Sequence, residues 1–335
     1  MSKIFRIGLL GASRIAPTAV IGPARAGNGF EISTVASRDR DRAGAYAREH
    51  RIPAVADDYG ALVARDDVDL VYNALPPAGH ARWTIAALEA GKAVLCEKPF
   101  AMNAEEARAM VETARREKLI LIEAFHYRFH AVIRQAEAIV RAGTLGVLRR
   151  ASAQFAATIP RTPNELRWRA EMGGGAMMDL GCYPLHALRT LIGAEPHIEG
   201  AVAVFEHGVD AEMKAQLRFV GDVEAELTCA MNVKTPAARL ILEGDNGLLS
   251  IHNYMAPQIG CRFSTTIGGV TETLPTEGPT TYTAQLAHVY DVLTGRAAPL
   301  TGGDDAIANM TAIDAIYRAA GRVSPVGHPS EVTWK

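Results

Sequence analysis

An apolar tetrapeptide, Ala93-Val94-Leu95-Cys96, runs directly into Glu97, Lys98 and Pro99. An acid, an amine and a ring-constrained residue in succession, where a buried strand ends, put titratable groups at a sheet rim. A second set is Asp179, Tyr183 and His186, four and then three residues apart, after Gly173-Gly174-Gly175. At helical spacing these three share one face. Met177, Met178, Leu185, Leu188 and Leu191 supply an apolar stripe elsewhere on the same helix. Amine, carboxylate, phenol and imidazole are the groups that move protons in catalysis. Taken alone, the second set also reads as the solvated side of a helix kinked at Pro184.

The elements that must position them alternate through the first half. Strands are expected at Arg6–Gly11, Phe30–Ala36, Ala54-Val55, Val68–Ala74, Ala93–Cys96 and Leu119–Ala124. Helices are expected at Ile15–Ala26, Asp39–His50, Asp58–Ala64, Gly79–Ala90 and Asn103–Lys118. This alternation gives a parallel, doubly wound sheet, and ligands in such sheets lie beyond the carboxyl ends of the strands. Glu97 and Lys98 then border a binding crevice.

The other strand ends carry cofactor signals. Gly11-Ala12-Ser13-Arg14-Ile15-Ala16 follows the first strand, in the place of the G-x-G-x-x-G/A dinucleotide turn. Ser13 stands where the pattern has glycine, which makes the motif imperfect, and an ordinary tight turn is the alternative. Ser37 and Arg38 end the second strand, with Arg42 one turn on. Small hydroxyl and cationic groups here suit the 2′-phosphate of NADP, whereas NAD sites usually carry a carboxylate. NADP(H) is favoured over NAD(H), with Asp39 as the residue that argues the other way. Asn73, Leu75, Pro76 and His80 surround the end of the fourth strand, where Asn73 is a candidate contact on the nicotinamide side.

From Val147 onward the pattern changes to period 2. Met213 to Phe219 and Val223 to Thr228 alternate about Gly221-Asp222, an antiparallel hairpin. More strands are expected at Leu148–Thr158, Ile198–Glu206, Ala238–Glu243, Leu248–His252 and Arg262–Thr266. Helices at Gly175–Ile192, Tyr282–Thr294 and Asp304–Ala320 would cover one face of this sheet. The other face would be polar or covered by a second copy, giving a homodimer.

The chain has 335 residues, 48% hydrophobic and 21% charged, with a net charge of −2. That length suggests two domains, 1–125 and 126–335. The charge gives no electrostatic case for nucleic acid or an anionic membrane. No apolar run approaches a membrane span, and Met1–Arg6 does not resemble a signal peptide. Cys96, Cys182, Cys229 and Cys261 are scattered, which favours reduced thiols and a cytoplasmic setting.

"VLCEKPFA", "GGGAMMDLGCYP", "EAFHYRFH" and the glycine turn together resemble the Gfo/Idh/MocA oxidoreductases over nearly the whole chain. The dihydrodiol dehydrogenase and D-xylose dehydrogenase branch is the most similar. The resemblance implies an α/β chain: an N-terminal Rossmann domain, then a C-terminal α+β domain with a broad, mostly antiparallel open sheet. It implies that Lys98 is the active-site lysine, that the Lys98–Pro99 bond is cis, and that Glu97 borders the cofactor. Many relatives carry histidine four residues after the aspartate; Tyr183 occupies that place here and becomes the implied proton donor and acceptor. A free tyrosine has a pKa near 10, so a neighbouring ammonium such as Lys98 would be needed to stabilise its phenolate. Asp179 would orient Lys98 or hold a substrate hydroxyl.

Tyr127, Arg128, Arg167 and Trp168 are candidate substrate contacts, Trp168 by stacking on a sugar face or simply by packing its loop. His126, His130 and Glu123 have a superficial ligand spacing, but no third convergent ligand is evident and no metal is expected. The expected activity is hydride transfer between NADP and a secondary alcohol or carbonyl of a sugar, polyol or trans-dihydrodiol. The alternatives are a reductase of a ketosugar intermediate and a non-catalytic NADP-sensing regulator.

Overall fold

The computed structural model describes residues 3–322 other than residue 28. The chain divides into two compact units, residues 3–125 with Tyr282–Met310, and His126–Thr281 with residues 311–322. The continuous second domain expected over 126–335 is therefore interrupted, and residues 323–335 of that expectation lie outside the described residues.

The first unit holds β1 (Phe5–Leu10), β2 (Phe30–Ala36), β3 (Ala54–Val55), β4 (Leu70–Asn73), β5 (Ala93–Cys96) and β6 (Leu121–Glu123). They form one parallel sheet in the order β3-β2-β1-β4-β5-β6, the arrangement of a Rossmann fold. Leu10 pairs with Asn73, Asn73 with Cys96 and Cys96 with Glu123, so four strands end side by side. The residues that follow them are thereby collected along one edge.

The chain after β1 turns through Gly11, at φ +96°, a backbone conformation that a side chain disfavours. It enters a wide turn at Pro17–Ile21, in which the Gly22 amide donates to the Pro17 carbonyl, and then α1 (Gly22–Arg25). The other connections are α2 (Arg40–Glu49), α3 (Tyr59–Val63), α4 (His80–Glu89) and α5 (Ala104–Glu117). Asp39, Asp58 and Asn103 cap α2, α3 and α5 by accepting amide hydrogen bonds from Arg42, Ala61 and Glu106.

In the second unit α6 (Ala131–Arg141), a helix the sequence reading did not anticipate, starts at a His130 cap. The helix carrying the second polar set begins with a wide turn at Met177–Gly181 and continues as α7 (Cys182–Ile192). A proline inside a regular helix clashes with the carbonyl four residues back, and this wider turn lies immediately ahead of Pro184. The eight strands are β7 (Leu148–Thr158), β8 (His197–Glu206), β9 (Val209–Phe219), β10 (Val223–Ala230), β11 (Asn232–Gly244), β12 (Gly247–His252), β13 (Arg262–Ile267) and β14 (Val270–Thr273). Their order is β14-β13-β12-β11-β7-β10-β9-β8, antiparallel except for the β7–β10 pair. β11 begins earlier than its alternation suggests because the register shifts between Asn232 and Ala237, around Pro236, which cannot donate to a ladder. β14, also unanticipated, closes a hairpin over Gly268-Gly269 and is fully exposed, so it lacks an apolar alternation.

The last two helices are α8 (Thr281–Leu293) and α9 (Asp304–Ala319). The expectation that both cover the large sheet is corrected for α8. Leu286, Val289 and Val292 belong to the core of the first unit, with Ile7, Leu9, Val35 and Leu95. Tyr290 packs edge-on against Phe5 and Phe30 at 5.8 and 5.7 Å. The spacing of its apolar residues defines a buried face without saying which sheet receives it.

Leu286 is fully buried. Leu286→Ala is expected to cost roughly 2–5 kcal/mol, the usual range for a buried leucine truncated to alanine. Urea unfolding measures it, with hydrogen exchange at β1 and β2 rising together; intact protection there would mean that α8 does not belong to this core.

Candidate active site

In the first unit the rim is held by buried polar groups. The Tyr72 hydroxyl donates to Glu97 Oε1 at 2.5 Å, and the Lys98 amide donates to Glu97 Oε2 at 3.3 Å. Burial, with Glu97 beside it, raises the Tyr72 phenol well above its usual range, so it stays a donor. Tyr282 is raised by burial and by Glu97, while Lys98 works in the opposite direction. Glu97 thus sets the electrostatics around the base of Lys98, and the Lys98–Pro99 bond is cis.

Asn73 and His80, both fully buried, tie the β4 end to the β5 end. Asn73 Nδ2 donates to the His80 carbonyl at 3.2 Å and to Thr84 Oγ1 at 3.1 Å. His80 Nδ1 lies 2.9 Å from the Pro99 carbonyl and Nε2 lies 2.7 Å from the Leu75 carbonyl. Two acceptors favour a doubly protonated ring, but burial opposes its charge more strongly and pushes His80 down to about 4. A neutral ring carries one N–H and donates to only one of these two carbonyls at a time. What these two residues offer a nucleotide is the loop they hold, Leu75, Pro76 and Pro99 included, since their own polar atoms are engaged inside it.

The turn after β1 is tied to α2. Arg42 donates to the Ala12 carbonyl at 2.9 Å and the Tyr46 hydroxyl to the Ser13 carbonyl at 2.9 Å. Ser13 Oγ accepts the Ala16 amide at 3.2 Å, and Ser13 is not among the residues with positive φ, so its backbone conformation does not call for glycine. A cation and a phenol cover two carbonyls that would otherwise repel phosphate. Arg14 and Arg38 are exposed, Ser37 is buried, and the Arg38 amide donates to the Tyr59 hydroxyl at 3.2 Å. Asp39 Oδ1 accepts the Arg42 amide at 3.0 Å, so its carboxylate is a helix cap. This edge fits a dinucleotide: a positive-φ glycine turn, a helix start, and guanidinium groups where a phosphate needs them.

The second unit carries the phenol. Tyr183 Oη is 3.2 Å from His126 Nε2, and His126 Nδ1 is 2.8 Å from Thr281 Oγ1. Next to it, the Tyr127 hydroxyl is 2.6 Å from His186 Nδ1. Tyr127 and Phe155 meet Tyr183 edge-on at 5.9 and 5.7 Å. Asp179 lies 3.5 Å from Arg167, which also makes a bidentate pair with buried Glu165 at 2.8 and 3.0 Å. Arg128 is buried and paired to Glu137 at 3.0 Å. Trp168 is buried too, donating to the Ile159 carbonyl at 3.3 Å with Arg161 over its ring at 4.8 Å. Of the expected substrate residues, Arg128 pairs with Glu137, Trp168 bonds to the Ile159 carbonyl, Tyr127 joins His186, and Arg167 and Asp179 stand together. His126 and Thr281 are contributions that spacing does not disclose, since their partners lie at sequence separations of 57 and 155.

Residues 5–125 match the Gfo/Idh/MocA oxidoreductase family with its NAD-binding Rossmann fold, and residues 133–250 match the Gfo/Idh/MocA C-terminal domain. The chain belongs to this family and is an NAD(P)-dependent oxidoreductase. It is 37% identical over 264 residues to a dTDP-3,4-didehydro-2,6-dideoxy-alpha-D-glucose 3-reductase of Streptomyces violaceoruber, covering 78% of this chain and 76% of the relative. It is 31% identical over 319 residues to D-xylose 1-dehydrogenase (NADP(+)) 2 of Haloferax volcanii, covering 93% and 96%. Among solved structures, KijD10, a 3-ketoreductase from Actinomadura kijaniata in complex with NADP and TDP-benzene, aligns with a TM-score of 0.87 at 27% identity. That alignment covers 95% of this chain and 98% of KijD10. Among the described residues no helix is long and apolar enough to cross a membrane.

The helix bearing Asp179 and Tyr183 is anchored by a buried acid. Asp210 accepts the Met177 amide and the Tyr317 hydroxyl, each at 2.7 Å. Gly175, at φ +126°, leaves room for it, since a Cβ there would collide with Asp210 Oδ1. Burial pushes Asp210 up from 3.8 to about 6, against the lowering effects of Tyr317, the Met177 amide and Arg322. A carboxyl raised in the folded state contributes stability that is present below about pH 4 and lost as pH rises through about 6. The rise corresponds to roughly 3 kcal/mol. Asp210→Asn removes the titration, so the stability of wild type relative to this variant should fall between pH 4 and pH 7. Urea unfolding at both ends of that window checks it; a constant difference would mean that Asp210 does not titrate there.

Proposed function

We propose that the chain is an NADP-dependent enzyme moving hydride between the nicotinamide and a secondary alcohol or carbonyl of a sugar or polyol. Lys98 and Tyr183 carry the accompanying proton transfer. The observation that carries the cofactor choice is the capping role of Asp39. With one oxygen of that carboxylate accepting the Arg42 amide, Ser37, Arg38 and Arg42 define the strand end, a set that suits a 2′-phosphate. A relative named for NADP(+) and a neighbour holding NADP support the same choice.

The bound cofactor supplies or accepts the hydride. The chain's own groups do the rest. Lys98, projecting from the strand end fixed by Glu97, Tyr72 and His80, polarises the reacting oxygen and favours its anionic form. Tyr183 takes the hydroxyl proton in oxidation and returns it in reduction. Asp179, next to Arg167, holds a neighbouring substrate hydroxyl. The likeness to 3-ketoreductases favours a second reading within the same chemistry, in which a ketosugar is reduced. A homodimer through the open sheet belongs to the proposal, since Val202, Val204 and Phe205 of β8 stay exposed. A cytoplasmic setting fits the four free cysteines.

Lys98→Met and Tyr183→Phe should each lower kcat by about a hundredfold or more with NADP affinity within about twofold. A panel of aldoses, inositol, ketosugars and a trans-dihydrodiol, followed at the nicotinamide absorbance with both cofactors, measures this. Unchanged turnover in either variant removes that residue from the mechanism. Arg38→Ala should weaken NADP binding by roughly ten- to a hundredfold, as expected for lost hydrogen bonds to a charged group, while leaving NAD binding unchanged. Fluorescence titration reads both constants; equal losses for the two cofactors would argue against a 2′-phosphate site.

A further inference from the structure

The second unit contains a three-member chain that the assignment of Tyr183 does not by itself require. Tyr183 Oη, His126 Nε2, His126 Nδ1 and Thr281 Oγ1 follow one another at 3.2 and 2.8 Å across the two sides of one imidazole. All three residues are buried, and the rings of His126 and Tyr183 meet at 69° with centroids 5.7 Å apart. A proton carrier, a base beside it and a third group orienting that base is the arrangement by which weak acids are activated in enzymes. With Nδ1–H donating to Thr281, the Nε2 lone pair faces the phenol.

We propose that His126 exchanges the proton of Tyr183, with Thr281 fixing the ring, so that the phenol acts as base in oxidation and as acid in reduction. The proposal rests on the reading of Tyr183 as the proton carrier. In oxidation the Tyr183 O–H bond breaks and an N–H bond forms at His126 Nε2, leaving phenolate and imidazolium. The phenolate oxygen then takes the substrate hydroxyl proton while the carbon-bound hydride, with its electron pair, passes to the oxidised nicotinamide. The proton held on His126 leaves to water between turnovers. Reduction runs the same steps backwards. His126 touches no reacting atom and is a positioning and relay residue.

Its neighbours are arranged to leave it this role. Tyr127, the next residue, bonds to His186 at 2.6 Å, so the two histidines serve different tyrosines. The charged groups on adjoining elements are paired, Arg128 with Glu137 of α6 and Asp179 with Arg167. Tyr183 and His186 of α7, Tyr127 of its own turn and Tyr254, which packs on Tyr127 at 5.6 Å, are titratable groups at this corner.

The test uses the full chain, D-xylose and NADP+, with the variants His126→Gln, Thr281→Val, Thr281→Ser and Tyr183→Phe. His126→Gln should lower kcat by about a hundredfold, with KM for D-xylose changed less than about twofold. The decline of kcat below neutral pH should disappear, replaced by a rise with pH up to about 9. Thr281→Val should cost roughly tenfold, one hydrogen bond to a charged ring, and Thr281→Ser should restore most of it. A His126→Gln enzyme with the wild-type pH profile and kcat, beside an inactive Tyr183→Phe, overturns the relay and leaves Tyr183 in place. An active Tyr183→Phe overturns both. A second readout needs neither substrate nor cofactor: in histidine-labelled protein, NMR titration of the His126 ring should shift its midpoint in both Tyr183→Phe and Thr281→Val. A midpoint unmoved in both overturns the relay even where D-xylose is not turned over.

Discussion

A carboxylate buried at a strand end is the constraint on which the rest of the first unit depends. Glu97 has left water, and an acid in that position persists only where donors meet it. Tyr72 on the neighbouring strand and the Lys98 amide meet it here. Because β4 and β5 run in register, with Tyr72 paired to Leu95, the phenol comes from the correct strand at the correct level. The amine of Lys98 is then attached to a backbone that cannot drift. His80 fastens the following carbonyl, and Asn73 fastens His80. A reacting group must be held to within a fraction of an ångström, and interior hydrogen bonds between strand ends supply that rigidity better than a loop alone.

The second unit meets the same requirement by other means. Its phenol stands on a helix whose first turn is widened ahead of a proline, and whose start is fastened by the Asp210 carboxylate. The glycines ahead of that turn give clearance: a side chain at Gly175 would occupy the position of Asp210 Oδ1, and one at Gly174 would meet the Arg167 and Arg169 carbonyls. Two neighbouring residues of one short turn, His126 and Tyr127, each bond to α7. The helix is thereby fixed in rotation as well as in position.

Much of this was legible in the amino-acid order. Periodicity disclosed the parallel sheet, the strand ends and the Met213–Thr228 hairpin, because apolar spacing reports directly on local burial. The motifs "VLCEKPFA" and "GGGAMMDLGCYP" disclosed the family. What stayed hidden was non-local. Nothing in Tyr282–Leu293 says that its apolar side belongs with Phe5 and Phe30, since a helix stripe specifies burial and not a partner. The spacing of His126 and His130 gave only a superficial ligand signal, and neither true partner was visible in it: His130 caps α6 and His126 bonds to Tyr183. Asp39 argued for a ribose contact in the sequence, and its bond to the Arg42 amide could not be read there. α6 and β14 escaped because one follows a polar junction and the other has no apolar alternation at all.

The return of Tyr282–Met310 to the first unit has a consequence for how the protein is made. A chain emerging from the ribosome presents all six strands of the parallel sheet long before Leu286, Val289 and Val292 exist to cover them. Domains generally fold as units and N-terminal ones first during synthesis, but here the core of an early segment is completed by side chains of a late one. The intervening eight-stranded sheet has its own complete set of strands by Thr273, but Tyr317, which meets Asp210 beside it, comes later still. Each half of the fold thus waits on a late stretch of chain, the first on Tyr282–Met310 and the second on residues 311–322, whose Tyr317 meets Asp210.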